Sequence, residues 1–151
     1  PLLIRWPNKI KAGITNDEMV QNLDFAQTFL EAAGIDAPND MQGESLIPLL
    51  TESGEDWTRD AVYYHYYEYP SVHMVKRHYG IVNKDYKLVR FYYDVDEWEL
   101  YDRKNDPNEM NNVYNDPEYS DIVSDLKIEL AEMRKKYKDS EELDQKFIYK
   151  K

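Results

Sequence analysis

The chain has 151 residues, of which 42% are hydrophobic, and this content suffices for a single domain with a buried core. Thirty acidic and 19 basic residues give a net charge of −11. This charge argues against nucleic acid as a partner, because a nucleic-acid backbone calls for a basic face, and against a polybasic membrane contact. There is no cysteine, which excludes disulfides, thiolate metal sites and a cysteine nucleophile within these residues.

The N-terminal stretch predicts a remnant of a larger fold. Residues 2–6 form a short apolar run closed by Pro7, a pattern typical of a buried parallel strand. Such a strand needs neighbouring strands, and the next forty-odd residues do not clearly supply them. We therefore expect the chain to be a piece of a larger protein.

The first helical pattern admits two interpretations. One long helix would begin at a capping box formed by Thr15 and Glu18. The alternative is a shorter helix over residues 25–33, capped by Asp24 and ended by Gly34. We favour the shorter helix, because it is bracketed at both ends. Further along, Ser45 is expected to cap a short apolar turn.

After residue 60 the pattern changes to β structure. Runs rich in tyrosine and β-branched residues are separated by turns of hairpin length, which predicts an antiparallel meander of four strands. The predicted strands are residues 61–69, 76–82, 86–93 and 97–101. The polar stretch that precedes them, residues 51–60, predicts a boundary between subdomains of residues 1–50 and 51–151.

A helix is predicted to follow the sheet and to cover it. It runs from Glu118 to Tyr137, with Asp116 as its cap and Pro117 at its first position. Its apolar stripe consists of Ile122, Leu126, Leu130, Met133 and Tyr137. The fold class of the chain is therefore α+β: a four-stranded antiparallel sheet packed by a C-terminal helix, plus a remnant strand and helix.

The link between sheet and helix begins as a strand and breaks at Asp106-Pro107. Asp106 is expected to cap a short helical turn, with Pro107 at the first position and Glu109 as the acid of a capping box.

The candidate binding residues form one cationic cluster. His73 and His78 bracket Lys76 and Arg77, which places four cationic or ionisable side chains within six residues of an acidic chain. Such a cluster suits a sulfate, phosphate or carboxylate group. The alternative is a solvated hairpin end that balances nearby acids. His65 is expected to be a packed or hydrogen-bonded sheet residue, and we predict neither a catalytic residue nor a metal ligand within the chain.

Four sequence strings, in order along the chain, resemble the C-terminal third of the sulfatase family. They are residues 1–13, residues 22–34, the Q-G-E-S-L of residues 42–46, and Y-K-L at 86–88 followed by E-L-Y-D at 99–102 and D-P-N-E at 106–109. Arg103 stands where the family usually has leucine. Residues 66–78 most resemble the sulfatases that act on glucosamine 6-sulfate or related glycosaminoglycan sugars.

The resemblance implies an α/β fold like that of alkaline phosphatase for the whole protein. It further implies a formylglycine nucleophile, made from Cys or Ser in a C/S-x-P-x-R motif, and a calcium ion held by Asp and Asn. Residues 1–50 would then end the large catalytic subdomain, and residues 51–151 would form the smaller one. The chain lacks both motifs, so we expect it to bind neither group.

The same resemblance implies that the chain contributes a wall of the pocket for a sulfated carbohydrate and partners the remainder of its own polypeptide. A secreted or periplasmic location is implied as well. Two alternatives stay open. The first is a standalone binding or interaction module without catalysis, against which the strand at residues 2–6 speaks. The second is a phosphate or phosphonate ester hydrolase of the same fold, which the upstream nucleophile motif would distinguish.

Overall fold

The computed structural model describes residues 2–51 and 57–146, and the chain divides into two compact units, Pro1–Asp60 and Ala61–Lys151. The first unit extends beyond the boundary predicted at residue 50. The extension includes Arg59, which forms a buried ion pair with Asp24 of the same unit.

The first unit contains helix α1, Asp24–Ala32, and the short helix α2, Ile47–Leu50. The shorter of the two predicted helices is therefore confirmed, but its predicted cap is wrong. Asp24 is the first residue of the helix, and its carboxylate accepts from Gln21, Glu44 and Arg59 instead of from an N–H of the first turn. The C-terminal end of the helix closes as expected, because Gly34 has a φ of +71° and its N–H donates to the carbonyl of Glu31 at 2.9 Å. The hydroxyl of Ser45 accepts from the N–H of Ile47, the first residue of α2, at 3.2 Å, although Leu46 and not Ser45 holds the cap position.

The predicted strand at residues 2–6 does not form within this chain. The segment has no regular structure, and Leu3 and Ile4 are 92% and 40% exposed. A strand is stabilised by ladder hydrogen bonds to a neighbour, and the described residues of this unit form no strand to pair with it.

The second unit is built on a four-stranded antiparallel sheet with the order β1-β2-β3-β4. The strands are Ala61–Tyr66, His78–Asn83, Tyr86–Phe91 and Glu97–Asp102. The predicted meander is confirmed. Asn83 closes the β2–β3 turn by accepting from the N–H groups of Asp85 and Tyr86 at 3.0 and 2.6 Å.

Helix α3, Ser120–Lys136, packs on the sheet as predicted. A 3₁₀ turn, Pro117–Tyr119, precedes it, and Asp116 caps that turn by accepting from the N–H of Glu118 at 3.0 Å. The core between helix and sheet contains Ala61, Ile81, Leu88, Leu100, Val123, Leu126 and Leu130. A short helix α4, Glu141–Lys146, follows. No helix in the described residues combines the length and the apolar character needed to cross a membrane.

The link after β4 departs from its prediction, because no helical turn forms there. The Asp106 carboxylate accepts from the N–H groups of Met110 and Asn111 at 2.7 and 2.8 Å, four and five positions on, whereas a helix cap accepts from two or three positions on. The predicted capping box is wrong: Glu109 has a φ of +54°, and its carboxylate pairs with Lys87 at 2.5 Å. Residues 103–108 form turns, so no helix exists there for Glu109 to cap.

Candidate substrate-binding site

The longest connection of the sheet, residues 67–77, joins β1 to β2 and contains His73, Lys76 and Arg77, with His78 following as the first residue of β2. Its fourth residue, Pro70, follows a cis peptide bond. Because consecutive antiparallel strands reverse direction, this connection lies at the same end of the sheet as the β3–β4 connection, residues 92–96.

Arg77 holds the base of the connection together. Its side chain is fully buried at 0% exposure, and its Nε donates to the carbonyl of Tyr69 at 2.5 Å. The carbonyl of Arg77 accepts from the N–H of Tyr92 at 3.2 Å, and its guanidinium lies 5.5 Å from the ring centre of Tyr93. In this region β1 ends at Tyr66, three residues before the predicted end, and β2 begins at His78, two residues after the predicted start.

Lys76 joins the two connections at this end of the sheet. Its ammonium forms an ion pair with Asp94 of the β3–β4 connection and donates to the hydroxyl of Tyr69 at 2.5 Å. The same ammonium lies 4.1 Å from the centre of the Tyr69 ring. The hydrogen bonds that it donates to Asp94 and Tyr69 raise the pKa of Lys76, so it is a cation at physiological pH.

His78 is packed among aromatic rings. Its ring stacks on that of Tyr66 with ring centres 5.6 Å apart, and its ring centre lies 5.7 and 5.2 Å from those of Tyr64 and Phe91. Its Nδ1 lies 2.8 Å from the carbonyl of Lys76. A carbonyl only accepts, so Nδ1 carries the proton and Nε2 is the nitrogen left to accept from another group.

His73 stands apart from the other three residues. It lies at the exposed tip of the connection between Val72 and Met74, which are 91% and 73% exposed. The structure thus brings Lys76, Arg77 and His78 to one end of the sheet, and it presents His73 to solvent. The cluster is less cationic than its sequence suggests, because Lys76 is paired and Arg77 is buried.

His65 belongs to a second cluster, on the sheet face that α3 covers. It is hydrogen-bonded, as predicted: Nδ1 lies 2.7 Å from a carboxylate oxygen of Asp139, and Nε2 lies 2.6 Å from the hydroxyl of Tyr92. Its ring stacks on that of Tyr67 with centres 3.6 Å apart. Burial lowers the pKa of His65 and outweighs the opposing effect of Asp139.

Two carboxylates and an arginine complete this cluster. Arg134 donates to Asp144 at 2.9 Å and lies 3.5 Å from Asp139. Burial raises the pKa of Asp144. Burial also opposes the ionisation of Asp139, but the hydrogen bonds from Tyr63 and His65 outweigh it and lower the pKa of that carboxyl. Sequence reasoning missed these partners, because Arg134, Asp139 and Asp144 lie 69, 74 and 79 positions from His65.

The described residues do not fit the calcium that the family resemblance implies, and the sequence does not fit the formylglycine. His65, Asp139 and Asp144 place ligand atoms within 4.8 Å of one another. Calcium requires six to eight oxygen ligands, whereas this group offers an imidazole and carboxylates that a guanidinium already binds. The sequence contains no cysteine and no Ser-x-Pro-x-Arg, so no formylglycine can form within these 151 residues.

A model of the family "N-sulphoglucosamine sulphohydrolase, C-terminal" matches residues 1–136. The chain belongs to this sulfatase family. The resemblance drawn from the four sequence strings is thereby confirmed, and so is the assignment of the antiparallel sheet and its helix to the C-terminal part of a sulfatase.

Known members of the family agree with this assignment. The N-acetylglucosamine-6-O-sulfatase of Bacteroides thetaiotaomicron is 53% identical over 144 residues, covering 93% of this chain and 26% of that protein. An ulvan-active sulfatase of Formosa agariphila is 30% identical over 155 residues, covering 83% of this chain and 31% of that protein. Neither the standalone module nor the phosphate or phosphonate hydrolase is favoured by these relatives.

A solved structure is also similar to this chain. It is that of a protein in complex with its substrate, D-glucosamine-2-N,6-O-disulfate, and it matches with a TM-score of 0.86 and 52% identity. The match covers 91% of this chain and 28% of that one. The chain therefore spans less than a third of the length of these relatives.

Proposed function

We propose that the chain is the C-terminal part of a sulfuric ester hydrolase that acts on sulfated glycans of the glycosaminoglycan type. The observation that carries the proposal is the family match over residues 1–136, supported by 53% identity to an N-acetylglucosamine-6-O-sulfatase. The complex of the similar solved structure with a doubly sulfated glucosamine supports a sulfated amino sugar as the substrate class.

In this proposal the chain supplies structure and substrate contacts, and the catalytic centre lies elsewhere in the polypeptide. The first compact unit, Pro1–Asp60, ends the large catalytic subdomain, which was predicted to end at residue 50, and the second unit, Ala61–Lys151, forms the smaller one. The remainder of the polypeptide holds the formylglycine, whether made from Cys or Ser, and the calcium ion. On the family resemblance we also propose a secreted or periplasmic location, which cell fractionation would test.

The substrate contacts are assigned to the cationic cluster of His73, Lys76, Arg77 and His78. Lys76 and His73 are the accessible members, and their ammonium and imidazole groups suit sulfate or carboxylate oxygens and sugar hydroxyls. His78 is bound through Nδ1 to the carbonyl of Lys76, and Arg77 fixes the connection through its bond to the carbonyl of Tyr69. Arg77 thereby sets where the other three side chains lie.

Kinetics of the complete enzyme with glucosamine 6-sulfate test these contacts. We expect His73→Ala and His78→Ala each to lower kcat/KM by about 2- to 12-fold, the equivalent of one hydrogen bond of ~0.5–1.5 kcal/mol. Lys84→Ala is the matched control, because Lys84 is an exposed cation in the β2–β3 turn at the opposite end of the sheet. Unchanged kinetics for both histidine variants and for Lys76→Ala would remove the cluster from the substrate pocket.

A further inference from the structure

Asp94 is paired with the ammonium of Lys76, the position that an anionic group of the substrate would take. Its carboxylate forms the ion pair with Lys76, and the two side chains are 29% and 37% exposed. Lys76 is otherwise held by Tyr69, through the hydroxyl at 2.5 Å and the ring face at 4.1 Å. The ammonium is therefore fixed in position whether or not the carboxylate stays in place.

An ion pair at this exposure is easily broken. Pairs of exposed side chains contribute little net stability, because water screens them and both side chains lose freedom. A sulfate group that reaches Lys76 meets the same ammonium and offers three terminal oxygens instead of two. Substrate and Asp94 then compete for one cation, and the displaced carboxylate stays nearby on the β3–β4 connection, where it repels the bound anion.

Resting on the proposed function, we propose that Asp94 sets the affinity for the charged substrate: its carboxylate is the resident counter-ion of Lys76, and an anionic group of the substrate displaces it on binding. The competition weakens the binding of every anionic group at Lys76, because each must displace the carboxylate. Neutral sugars gain nothing at Lys76 and leave the pair intact.

The test is Asp94→Asn in the complete enzyme with glucosamine 6-sulfate as the substrate. We expect KM to fall by about 2- to 5-fold, the range measured for exposed ion pairs, with kcat unchanged. Asp94→Glu should restore the wild-type KM. Asp96→Asn is the matched control, since Asp96 pairs with Arg90 on the same connection and is 86% exposed, and its KM should not change. An unchanged or raised KM for Asp94→Asn overturns the proposal.

Two further measurements separate this proposal from the function on which it rests. The advantage of Asp94→Asn should shrink as salt is raised from 0.05 to 0.5 M, because screening weakens the repulsion that the substitution removes; a salt-independent advantage overturns the proposal. Lys76→Ala should raise KM. If it does while Asp94→Asn changes nothing, Lys76 contacts the substrate and only the counter-ion proposal fails. If neither Lys76→Ala nor the histidine variants change the kinetics, the substrate site itself fails.

Discussion

Asp24 is the residue whose loss we expect to damage the first unit most. It is fully buried, and its carboxylate accepts four hydrogen bonds. Two come from the guanidinium of Arg59 at 2.5 and 2.8 Å, and two come from the N–H groups of Gln21 and Glu44 at 2.8 and 2.9 Å. The side chain therefore joins three segments that are far apart in sequence: the start of α1, the Q-G-E-S-L segment and Arg59.

Asp24→Ala removes the anion and leaves the buried guanidinium and two N–H groups without it. Breaking a buried pair by removing one partner costs about 3–5 kcal/mol, because the remaining charge stays desolvated. Glu44→Gln provides the matched control. Glu44 lies 3.6 Å from the same guanidinium but is 43% exposed, so its loss should cost less than about 1 kcal/mol.

Hydrogen–deuterium exchange of the complete protein measures this cost locally. Amides of α1 should exchange on the order of 10²- to 10³-fold faster in Asp24→Ala than in the wild type, if they exchange through opening of this unit. The ratio of the exchange rates in Asp24→Ala and in the wild type should fall as the pH is lowered. Burial opposes the ionisation of Asp24, but hydrogen bonds from Arg59, Glu44 and Gln21 outweigh it and lower the pKa of Asp24. Its contribution is therefore complete above the unfolded pKa of about 3.9 and is lost as the pH falls through the lower folded pKa.

Equal acceleration in Asp24→Ala and Glu44→Gln would refute this reasoning, since the Asp24 carboxylate is buried and accepts four hydrogen bonds, whereas Glu44 is 43% exposed and lies 3.6 Å from Arg59. A double variant, Asp24→Leu with Arg59→Leu, gives a second check. It removes both charges together, so it should be less unstable than the sum of Asp24→Ala and Arg59→Ala.

Two further predictions concern stability. Gly43→Ala should lower the yield of folded protein and its Tm, because the added Cβ would lie 2.1 Å from the carbonyl oxygen of Leu23, a backbone atom that cannot swing away; an unchanged Tm would show that this approach is looser than described. Leu126→Ala should destabilise the second unit by about 2–5 kcal/mol in denaturant unfolding, because Leu126 is 4% exposed in the core. Ile128→Ala on the same helix, at 63% exposure, should stay within about 0.5 kcal/mol, and equal losses for both would contradict the packing of α3.

Local patterns predicted the regular elements of the second unit well. The β2–β3 hairpin followed from turn chemistry at Asn83, whose side chain closes the turn. The start of the helical segment followed from Asp116 and Pro117. The capping role predicted for Glu109 was wrong, because its conformation depends on a distant part of the chain. Its left-handed backbone and its ion pair with Lys87 involve a strand 22 positions away, which a capping rule does not include.

The candidate site was predictable in composition but not in arrangement. The four cationic or ionisable residues of the site were evident as a run in an acidic sequence. The sequence did not reveal that Arg77 is fully buried or that Asp94 neutralises Lys76. Asp94 belongs to the turn after β3, and the signal that could have identified it is the meander itself, which brings alternate connections to the same end of the sheet.

By itself the sequence determined the family, the α+β class, the order of the strands and the position of the covering helix. These follow from periodicity, turn residues and caps, which act over a few positions, and from motif strings read in order. Only the tertiary structure decided which charged groups face each other: Asp24 with Arg59, Lys76 with Asp94, and His65 with Asp139. The physical reason is that electrostatic and packing energies depend on distance in space, and the chain brings these partners together from 18 to 74 positions apart.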